Sequence, residues 1–403
     1  MYSIIVVCVF GYLSAVAPSF VVLILFRFGV GIGVGGMAVP FDLLAELLPT
    51  SHRGRFLIYL QGFWTIGAAY VVTMAWLLMD RGGWRLVTVM TAVPVTVSLI
   101  LAVIYLPESP RWLLIKNRPQ DAADLVTHIA QVNGTPLTEP LQLKLLSSVS
   151  EETVSFAEFL KPSAQQKLFI PMWIVWFCFG FGYYGVVLLM VRVFEDRSGD
   201  DDEEQTCDFD YGNILINSST EVLAVVMLIF MIEPVGRIKT MLFFFFTAGV
   251  SVLFIAMPMS PITFTFVAAI VRIAAMGANL STWVATAEIF PTRLRATGHA
   301  LATAMERLGS LLSPFLVDSK SMGLGLVSGV LCAIHMTGMV CTLALPETQG
   351  KDLDAPLSSQ SQGDEFQRSN GDSFDNSSRD SKSLLSVNDQ IELSNANVTV
   401  RKD

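Results

Sequence analysis

The side chains best suited to chemistry in this sequence are charged and aromatic residues inside long apolar runs. Arg27 begins the run RFGVGIGVGG, and Asp42 and Glu46 follow it four residues apart, so these two acids share one face of a helix. An ionisable group inside a membrane-length apolar run is costly to bury and usually binds a solute, an ion or a proton. The candidates for solute binding or ion coupling are Arg27, Asp42, Tyr183, Tyr184, Glu221, Arg272 and Glu306.

Each candidate also has a structural alternative that the residues leave open. Arg27 and Arg272 either contact an anionic solute or an acidic partner in a cavity, or they form structural salt bridges or extend to the interface. Asp42 is either a proton or cation site or a hydrated acid near a helix end, and Glu221 is a further candidate for coupling. The tyrosines at 183–184 lie beside glycines and are either solute contacts at a hinge or ordinary packing residues.

A second set of charges lies at the ends of the apolar runs. The motif A-E-Φ-Φ-P-T-x-x-R occurs at 45–53 and again at 287–295, so each copy places a glutamate and an arginine at a helix end. If these charges form ion pairs in one conformation and lose them in another, they would bias a conformational equilibrium. Alternatively, they cap the helix ends in a single conformation. The candidate pairs are Glu46 with Arg295, and Glu288 with Arg53 or Arg111. The full set of candidate gate residues is Glu46, Arg53, Glu108, Arg111, Arg237, Glu288, Arg295 and Glu347.

The composition is typical of a helical membrane protein. Of the 403 residues, 52% are hydrophobic and 15% are charged, and the mean hydropathy is +0.56. A soluble protein of this length is less apolar, and the apolar runs here repeat at membrane-spanning length. The net charge of −9 argues against nucleic acid as a partner, and the four scattered histidines and five cysteines indicate neither a metal site nor a disulfide framework. Because no phosphate-binding loop and no residue set for bond chemistry occur, we predict neither an enzyme nor a cofactor.

The apolar runs predict an all-α membrane protein with about ten spans. Lys and Arg collect on the side that carries 52–55 and 237–239, so this side is predicted to be cytosolic. The predicted spans are roughly 1–17, 20–45, 56–79, 84–106, 168–192, 214–232, 239–257, 262–287, 297–317 and 322–345. The predicted domains are a first bundle at 1–106, a cytosolic linker with short amphipathic helices at 107–167, a six-helix bundle at 168–350 and a disordered cytosolic tail at 351–403. Within the tail, Leu384-Leu385 fits a dileucine signal for sorting adaptors.

The two motif copies are part of a longer internal repeat. Pro107-Glu108 and Pro346-Glu347 recur at nearly the same separation as the motif copies, and Arg27 and Arg272 make a third match. A repeat of this kind indicates two homologous halves in parallel. Four predicted spans precede the second motif copy and two precede the first, so we expect that two helices of the first bundle are missing from this chain.

Several motifs resemble those of the major facilitator superfamily. RFGVGIG at 27–33 resembles its fourth-helix signature, and GRIK at 236–239 resembles the second-half copy of its G-R-[RK] loop. PESPRW at 107–112 and PETQG at 346–350 resemble signatures of the sugar-porter and organic-ion branches. Within the superfamily, YYGVVLL at 183–189 is most similar to the synaptic-vesicle-two-related proteins.

The resemblance implies a twelve-helix fold of two pseudo-symmetric bundles, of which this chain would keep spans three to twelve. It implies secondary-active transport of a small polar or charged organic solute by alternating access, coupled to protons, in the plasma membrane or an intracellular vesicle membrane. The expected partners are that solute, protons, membrane lipid and sorting adaptors. Two alternatives stay open, namely a transport-incompetent membrane protein with a sorting, receptor or scaffold role, and a fragment of a sugar or organic-cation porter.

Overall fold

In the computed structural model the described residues form mainly long helices. Residues 1–135, 142–145, 166–198, 212, 215, 218–290, 292–319, 322–351 and 398–401 are described. We call residues 2–105 the first half and residues 166–342 the second half. The first half contains α1 (Tyr2–Ala15), α2 (Phe20–Val34), α3 (Ala38–Leu47) and α4 (Arg53–Tyr105).

A local sequence signal marks where one helix of the second half begins. The Ser260 hydroxyl accepts a hydrogen bond from the Thr263 N–H at 3.2 Å, and Pro261 is the first residue of the helix that follows. Both features suit a helix start, where a side chain must satisfy free N–H groups and proline has none to lose. The second half contains α7 (Gln166–Ser198), α8 (Glu221–Val235), α9 (Arg237–Ile255), α10 (Pro261–Ile289), α11 (Thr292–Val317) and α12 (Leu324–Thr342).

In the sequence, short helices and strands occur between the two halves and after the second half. Ser109 caps the first of them by accepting a hydrogen bond from the Trp112 N–H at 3.3 Å. Two strands pair antiparallel, with Gln142 opposite Arg401, and within the described residues this pair is the one departure from the predicted all-α class. These elements are α5 (Pro110–Ile115), α6 (Pro119–Val132), β1 (Gln142–Leu145) and β2 (Val398–Arg401).

The predicted spans overlap described helices, but several boundaries differ. The predicted span 20–45 is two helices, α2 and α3, with a turn over 35–37 between them. The predicted spans 56–79 and 84–106 correspond to the two helical segments of α4, which meet at a kink at Gly83, where φ is +64° and ψ is −171°. A positive φ is open to glycine at little steric cost, so Gly83 permits the sharp change of direction without a loop.

Six described helical stretches are long and apolar enough to cross a membrane, fewer than the ten spans predicted. The helix α4 counts once although it contains two predicted spans, and α1 and α8 have only 14 and 15 residues. The helix α11 is not among the six, and it carries Arg295, Glu306 and Arg307. The six stretches are Phe20–Leu47, Arg53–Tyr105, Leu168–Val193, Arg237–Ile255, Ile262–Ile289 and Leu324–Thr342.

The halves meet along α4, which packs against α8 and α10, while α3 also packs against α10. Within the second half, α9 packs against α10 and α12, and α7 packs against α10 and α12. Their shared core is aliphatic and aromatic, and it includes Phe181, Val252, Phe264, Val271 and Leu331. This packing brings the ends of helices that are distant in sequence to one place, where the charged residues gather.

The chain separates into two compact units. One contains Met1–Tyr105, Phe156–Phe290 and Leu294–Gln349, and the other contains Leu106–Ser155, Pro291–Arg293 and Gly350–Asp403. The predicted division into two bundles, a linker and a tail stays a prediction. The tail apart from 351 and 398–401, with its Leu384-Leu385 pair, lies outside the described residues, as does the side chain of Arg111.

Candidate functional site

The first cluster of candidate residues lies at what we call the charged end, where α3, α8 and α10 end and α4, α9 and α11 begin. Arg237 is the first residue of α9, and its side chain is 0% exposed. Its guanidinium forms a bidentate pair with Glu288, from Nε to Oε2 at 2.8 Å and from Nη2 to Oε1 at 2.9 Å. It also donates through Nη1 to Glu233 Oε2 at 2.9 Å and to the Ile232 carbonyl at 3.2 Å. One arginine therefore ties the ends of α8 and α10 to the start of α9.

Glu347, which follows α12, caps the same helix start. Its carboxylate accepts the backbone N–H of Arg237 at 2.8 Å and that of Ile238 at 3.0 Å, which satisfies two N–H groups that have no partner within the helix. Gly236, which directly precedes α9, has φ at +95°, and a Cβ there would lie 2.6 Å from Glu347 Oε2. Thr348 then donates its hydroxyl to Glu288 Oε2 at 2.6 Å. The end of α12 is thereby joined to the same cluster.

The first half contacts this cluster through the start of α4. The backbone N–H of Arg55 donates to Glu233 Oε1 at 3.2 Å. A Cβ on the preceding residue, Gly54, would lie 2.7 Å from Arg237 Nη2, so the two halves approach each other too closely here for a side chain. A carboxylate facing the first turn of a helix also complements the partial positive charge of that helix end.

Two further contacts join α3 of the first half to α11 of the second half. Arg295 Nη1 lies 3.0 Å from Glu46 Oε1, and His299 Nδ1 lies 2.8 Å from Asp42 Oδ1. The partners are spaced four residues apart on both helices and run in opposite order, so the contacts form two successive rungs between antiparallel helices. All four side chains are largely buried, and the His299 side chain is 0% exposed.

The candidate gate residues therefore divide into three groups. Glu46 with Arg295 crosses between the halves, whereas the basic partner of Glu288 is Arg237 of its own half. Glu288 therefore pairs with Arg237 rather than with Arg53, because the start of α9 lies beside the end of α10, while its predicted pairing with Arg111 lies outside the described side chains. Arg53 instead donates to the carbonyl oxygens of Ala45 at 3.1 Å and Leu48 at 3.4 Å, at the end of α3.

Glu108 belongs to the other compact unit and is exposed. Its counterpart in the repeat, Glu347, is the cap of α9. Equivalent positions of the internal repeat therefore occupy different environments in the two halves.

A second cluster of candidates, the central cluster, lies within the helices away from the charged end. Arg272 Nη2 of α10 contacts Glu221 Oε1 of α8 at 2.5 Å, and the Tyr183 hydroxyl of α7 donates to the same oxygen at 2.9 Å. The Trp64 indole of α4 donates to the Tyr183 hydroxyl at 3.4 Å, and the Arg272 guanidinium lies 5.7 Å from the Tyr183 ring centroid. Glu221 Oε2 and Arg272 Nε are buried and have no hydrogen-bond partner among the described residues. The cluster therefore joins three helices of the second half to one of the first and keeps unused hydrogen-bonding capacity.

Glu306 and Tyr184 belong to a neighbouring polar group on α11 and α7. Glu306 is buried beside Arg307, with 3.3 Å between Oε1 and Nη1, and Arg307 Nη1 lies 3.4 Å from the Tyr184 hydroxyl. A Cβ on Gly180 would collide with the backbone of Glu306. The helix α7 is continuous over Gln166–Ser198, so this glycine serves the close approach of α7 and α11.

Arg27 is the candidate for solute binding that the structure brings to none of these three groups. It is exposed on α2 and has no hydrogen bond or ion pair to another described residue. Its repeat counterpart, Arg272, is buried in the central cluster. Across the described part of the chain, no group of three or more His, Cys, Asp or Glu side chains could hold a metal ion.

Several residues of these sites were not predicted from the sequence, among them His299 and Trp64. His299 pairs with Asp42, and a signal existed, because His299 follows Arg295 by the same four residues that separate Asp42 from Glu46. Trp64 reaches the central cluster from a helix of the first half, and nothing in its local sequence distinguishes it from a packing tryptophan.

The family profile described as sugar (and other) transporter matches residues 1–356. This chain belongs to that family. The match confirms the resemblance drawn from the motifs and makes the chain an integral, multi-pass membrane protein of a transporter family rather than an enzyme.

Relatives and solved structures agree with this assignment. The synaptic vesicle 2-related protein of Pongo abelii is 29% identical over 363 residues, which cover 85% of this chain and 65% of that protein. The organic cation/carnitine transporter 7 of Arabidopsis thaliana is 27% identical over 396 residues, covering 88% of this chain and 79% of that protein. The chain thus spans just under two thirds of the length of the first of these relatives.

The fold is that of the major facilitator superfamily. The proton:xylose symporter XylE bound to 6-bromo-6-deoxy-D-glucose superposes with a TM-score of 0.63 at 17% identity, over 87% of this chain and 80% of that one. The human organic anion transporter MFSD10 superposes with a TM-score of 0.57 at 14% identity, over 85% of this chain and 75% of that one. At these identities the similarity establishes the fold and leaves the solute open.

Proposed function

We propose that the chain carries a small polar or charged organic solute across a membrane by alternating access, with protons as the coupling ion. The observation that carries the proposal is the central cluster, in which a buried Glu221–Arg272 ion pair is connected to the first half through Tyr183 and Trp64. Burying two charges is expensive unless they are well paired, and such a pair adds little stability over apolar side chains of similar volume. A charged pair buried inside a membrane bundle is therefore better explained by solute binding than by stability alone.

The chemistry of the cluster narrows the solute class. The ion pair has no net charge, and it leaves a carboxylate oxygen on Glu221 and an N–H on Arg272 without partners among the described residues. A solute with a hydrogen-bond donor for Glu221 and an acceptor for Arg272 would satisfy both. The Tyr183 and Trp64 side chains add a polar edge and an aromatic surface. Polyols, zwitterions and small organic ions with a polar group fit these requirements.

The charged end supplies a gate for such a cycle. The contacts that cross between the halves there are Glu46 with Arg295, Asp42 with His299, and the Arg55 N–H with Glu233. Opening this end would break them, whereas the bonds of Arg237 to Glu288 within the second half can persist. We therefore assign gating to the cross-half contacts and a scaffold role to Arg237. Similarity to the organic cation/carnitine transporter 7 of Arabidopsis thaliana, and in fold to the proton:xylose symporter XylE, supports a solute carrier of this general kind.

The test is uptake by the purified full chain in proteoliposomes with an imposed pH gradient. The probes are radiolabelled xylose, carnitine, tetraethylammonium and para-aminohippurate, which represent sugars, zwitterions, cations and anions. We expect uptake of one class above that of protein-free liposomes, and at least a tenfold loss in Glu221→Gln and Arg272→Gln. Lys239→Gln is the matched control, because Lys239 is exposed and its loss removes a charge without touching either cluster.

Thermal stabilisation of the same protein by each probe gives a second, independent measurement. A folded protein that neither accumulates nor is stabilised by any of the four classes would contradict the proposal. That result would favour the sorting, receptor or scaffold role instead. Uptake that is unchanged in both central-cluster variants would leave transport in place but reject the assigned binding site.

A further inference from the structure

The two rungs between α3 and α11 differ in one chemical respect. The guanidinium of Arg295 remains protonated at all physiological pH values, so its pair with Glu46 is a permanent ion pair. An imidazole, unlike a guanidinium, exists in a neutral and a protonated form, so the pair of His299 with Asp42 has two possible charge states. One rung is therefore fixed in charge, while the other has two charge states.

The surroundings of His299 make these two states unequal. The ring centroids of Trp283, Trp176 and Phe41 lie 4.8, 5.4 and 6.0 Å from that of its imidazole, and they exclude water from it. With a neutral imidazole the sealed pair carries one net negative charge, and with an imidazolium it carries none. An uncompensated charge is far more costly to bury than a paired one. The two charge states therefore differ in the net charge that the closed helices must bury.

Two atoms of the pair that form no hydrogen bond to a described residue lead to the same conclusion. Asp42 Oδ2 and His299 Nε2 are buried and have no hydrogen-bond partner among the described residues. A carboxylate with so little hydrogen bonding is poorly stabilised unless a cation lies beside it. When α3 and α11 separate, water can solvate both groups and the carboxylate no longer requires that cation.

Other charged groups near the rung keep partners of their own. From α3 and α11 these are Glu46 and Arg295, which pair with each other. From α4 it is Arg53, which donates to the carbonyls that end α3. From α10 and α7 the side chains that face the imidazole are Trp283 and Trp176, while Glu288 of α10 pairs with Arg237 and Tyr183 of α7 bonds to Glu221.

We propose that Asp42 and His299 form a proton-binding site, and that a proton bound there holds the charged ends of the two halves together. The proton comes from water, resides on the imidazole as an imidazolium that donates from Nδ1 to Asp42 Oδ1, and returns to water that enters when α3 and α11 separate. Acidification therefore favours the closed charged end and alkalinisation favours its opening. The inference deepens the proposed transport function by naming its coupling site, and it rests on that function for its role in a transport cycle.

The experiment compares amide hydrogen exchange of the full chain in lipid nanodiscs at pH 6 and pH 8, corrected for the pH dependence of chemical exchange. If one proton is fully linked to closure, the ratio of open to closed molecules changes by up to about tenfold per pH unit. We expect the amides of 43–55 and 295–303 to exchange faster at pH 8. His299→Gln keeps an N–H donor but cannot bind the proton, so this pH dependence should disappear. Asp42→Asn removes the charge that favours the proton, so the pH dependence should shrink severalfold.

Two control variants test whether the pH dependence arises from Asp42 and His299 rather than from other groups. Glu46→Gln should raise exchange at both pH values and keep the pH dependence, because it weakens only the permanent rung. His335→Gln removes another buried histidine, one that bonds to the Leu331 carbonyl on α12, and should leave the pH dependence intact. If a single variant unfolds, the exchanged pair Asp42→His with His299→Asp keeps the same two groups and should restore the pH dependence.

A pH-independent wild-type protein, or a His299→Gln variant that responds to pH as the wild type does, would overturn the inference. Neither readout requires a solute, so both remain valid for a chain that transports nothing. Conversely, solute uptake together with pH-independent exchange would reject this proton site and leave the proposed transport function standing.

Discussion

Replacing Arg237 by glutamine should destabilise the folded protein strongly. In the wild type, the guanidinium donates to two carboxylates and one carbonyl from a side chain with no exposed surface. Glutamine has two N–H donors and no charge, so at least one carboxylate of Glu233 and Glu288 would stay buried without a cation. Removing one partner of a buried ion pair typically costs about 3–5 kcal/mol. We expect a loss of that size in the free energy of unfolding.

Substituting one of the acids around Arg237 should cost less free energy of unfolding than substituting the arginine itself. Two carboxylates share this one guanidinium, so Glu288→Gln still leaves Glu233 paired with Arg237. A lost hydrogen bond to a charged group costs about 1.5–3 kcal/mol, which is below the value expected for Arg237→Gln. The double variant should be less destabilised than the sum of the two single variants, with a coupling energy of about 1–3 kcal/mol.

The assay is reversible unfolding of the purified chain in mixed micelles by increasing SDS, followed by far-UV circular dichroism. Lys239→Gln is the matched control, since it removes a positive charge two residues further along α9 at an exposed position. This control should stay within about 0.5 kcal/mol of the wild type, as is usual for exposed sites. If Arg237→Gln also stayed within about 1 kcal/mol of the control, or if Glu288→Gln were as damaging, the described hydrogen bonds would not be the source of stability.

Three further variants are tested by the same unfolding measurement. Gly236→Ala should lose more than about 1 kcal/mol, because the residue has φ at +95° and its new Cβ would lie 2.6 Å from Glu347 Oε2. Gly329→Ala, within α12 and with open space around it, should instead be neutral or stabilising by about 0.5–1 kcal/mol, and equal effects at the two sites would contradict the argument. Arg192→Gln should lose about 1–3 kcal/mol, because the guanidinium donates to the carbonyls of Val317 at 2.6 Å and Met322 at 2.8 Å beyond the end of α11. If Arg192→Gln unfolded at the same SDS concentration as the wild type, water would be replacing these hydrogen bonds without a loss of stability.

Much of the architecture follows from local sequence. Apolar runs of membrane-spanning length, broken by glycine, proline and basic residues, are enough to place the helices, because a backbone in lipid must satisfy its hydrogen bonds within each helix. The repeated motif copies and their flanking signatures are enough to predict the family, which the profile match over 1–356 confirms. The i, i+4 spacing of Asp42 and Glu46 likewise predicts that both acids face one neighbour.

Local sequence fails where one backbone element changes direction or where a single cation has several acids within reach. The predicted boundary between spans 56–79 and 84–106 is confirmed by the kink at Gly83, whereas the turn over 35–37 that divides α2 from α3 within one membrane-spanning stretch was not predicted.

The partners of the charged residues were decided by the tertiary structure. The two copies of A-E-Φ-Φ-P-T-x-x-R are locally alike, yet Glu46 pairs across the halves with Arg295 while Glu288 pairs with Arg237 of its own half. The sequence by itself determined the membrane spans, the internal repeat and the types of charge at each helix end. Only the packing of α9 beside α10, and of α11 beside α3, determined which opposite charge came within hydrogen-bonding distance, since ion pairs of this strength require contact at about 3 Å in a water-poor interior.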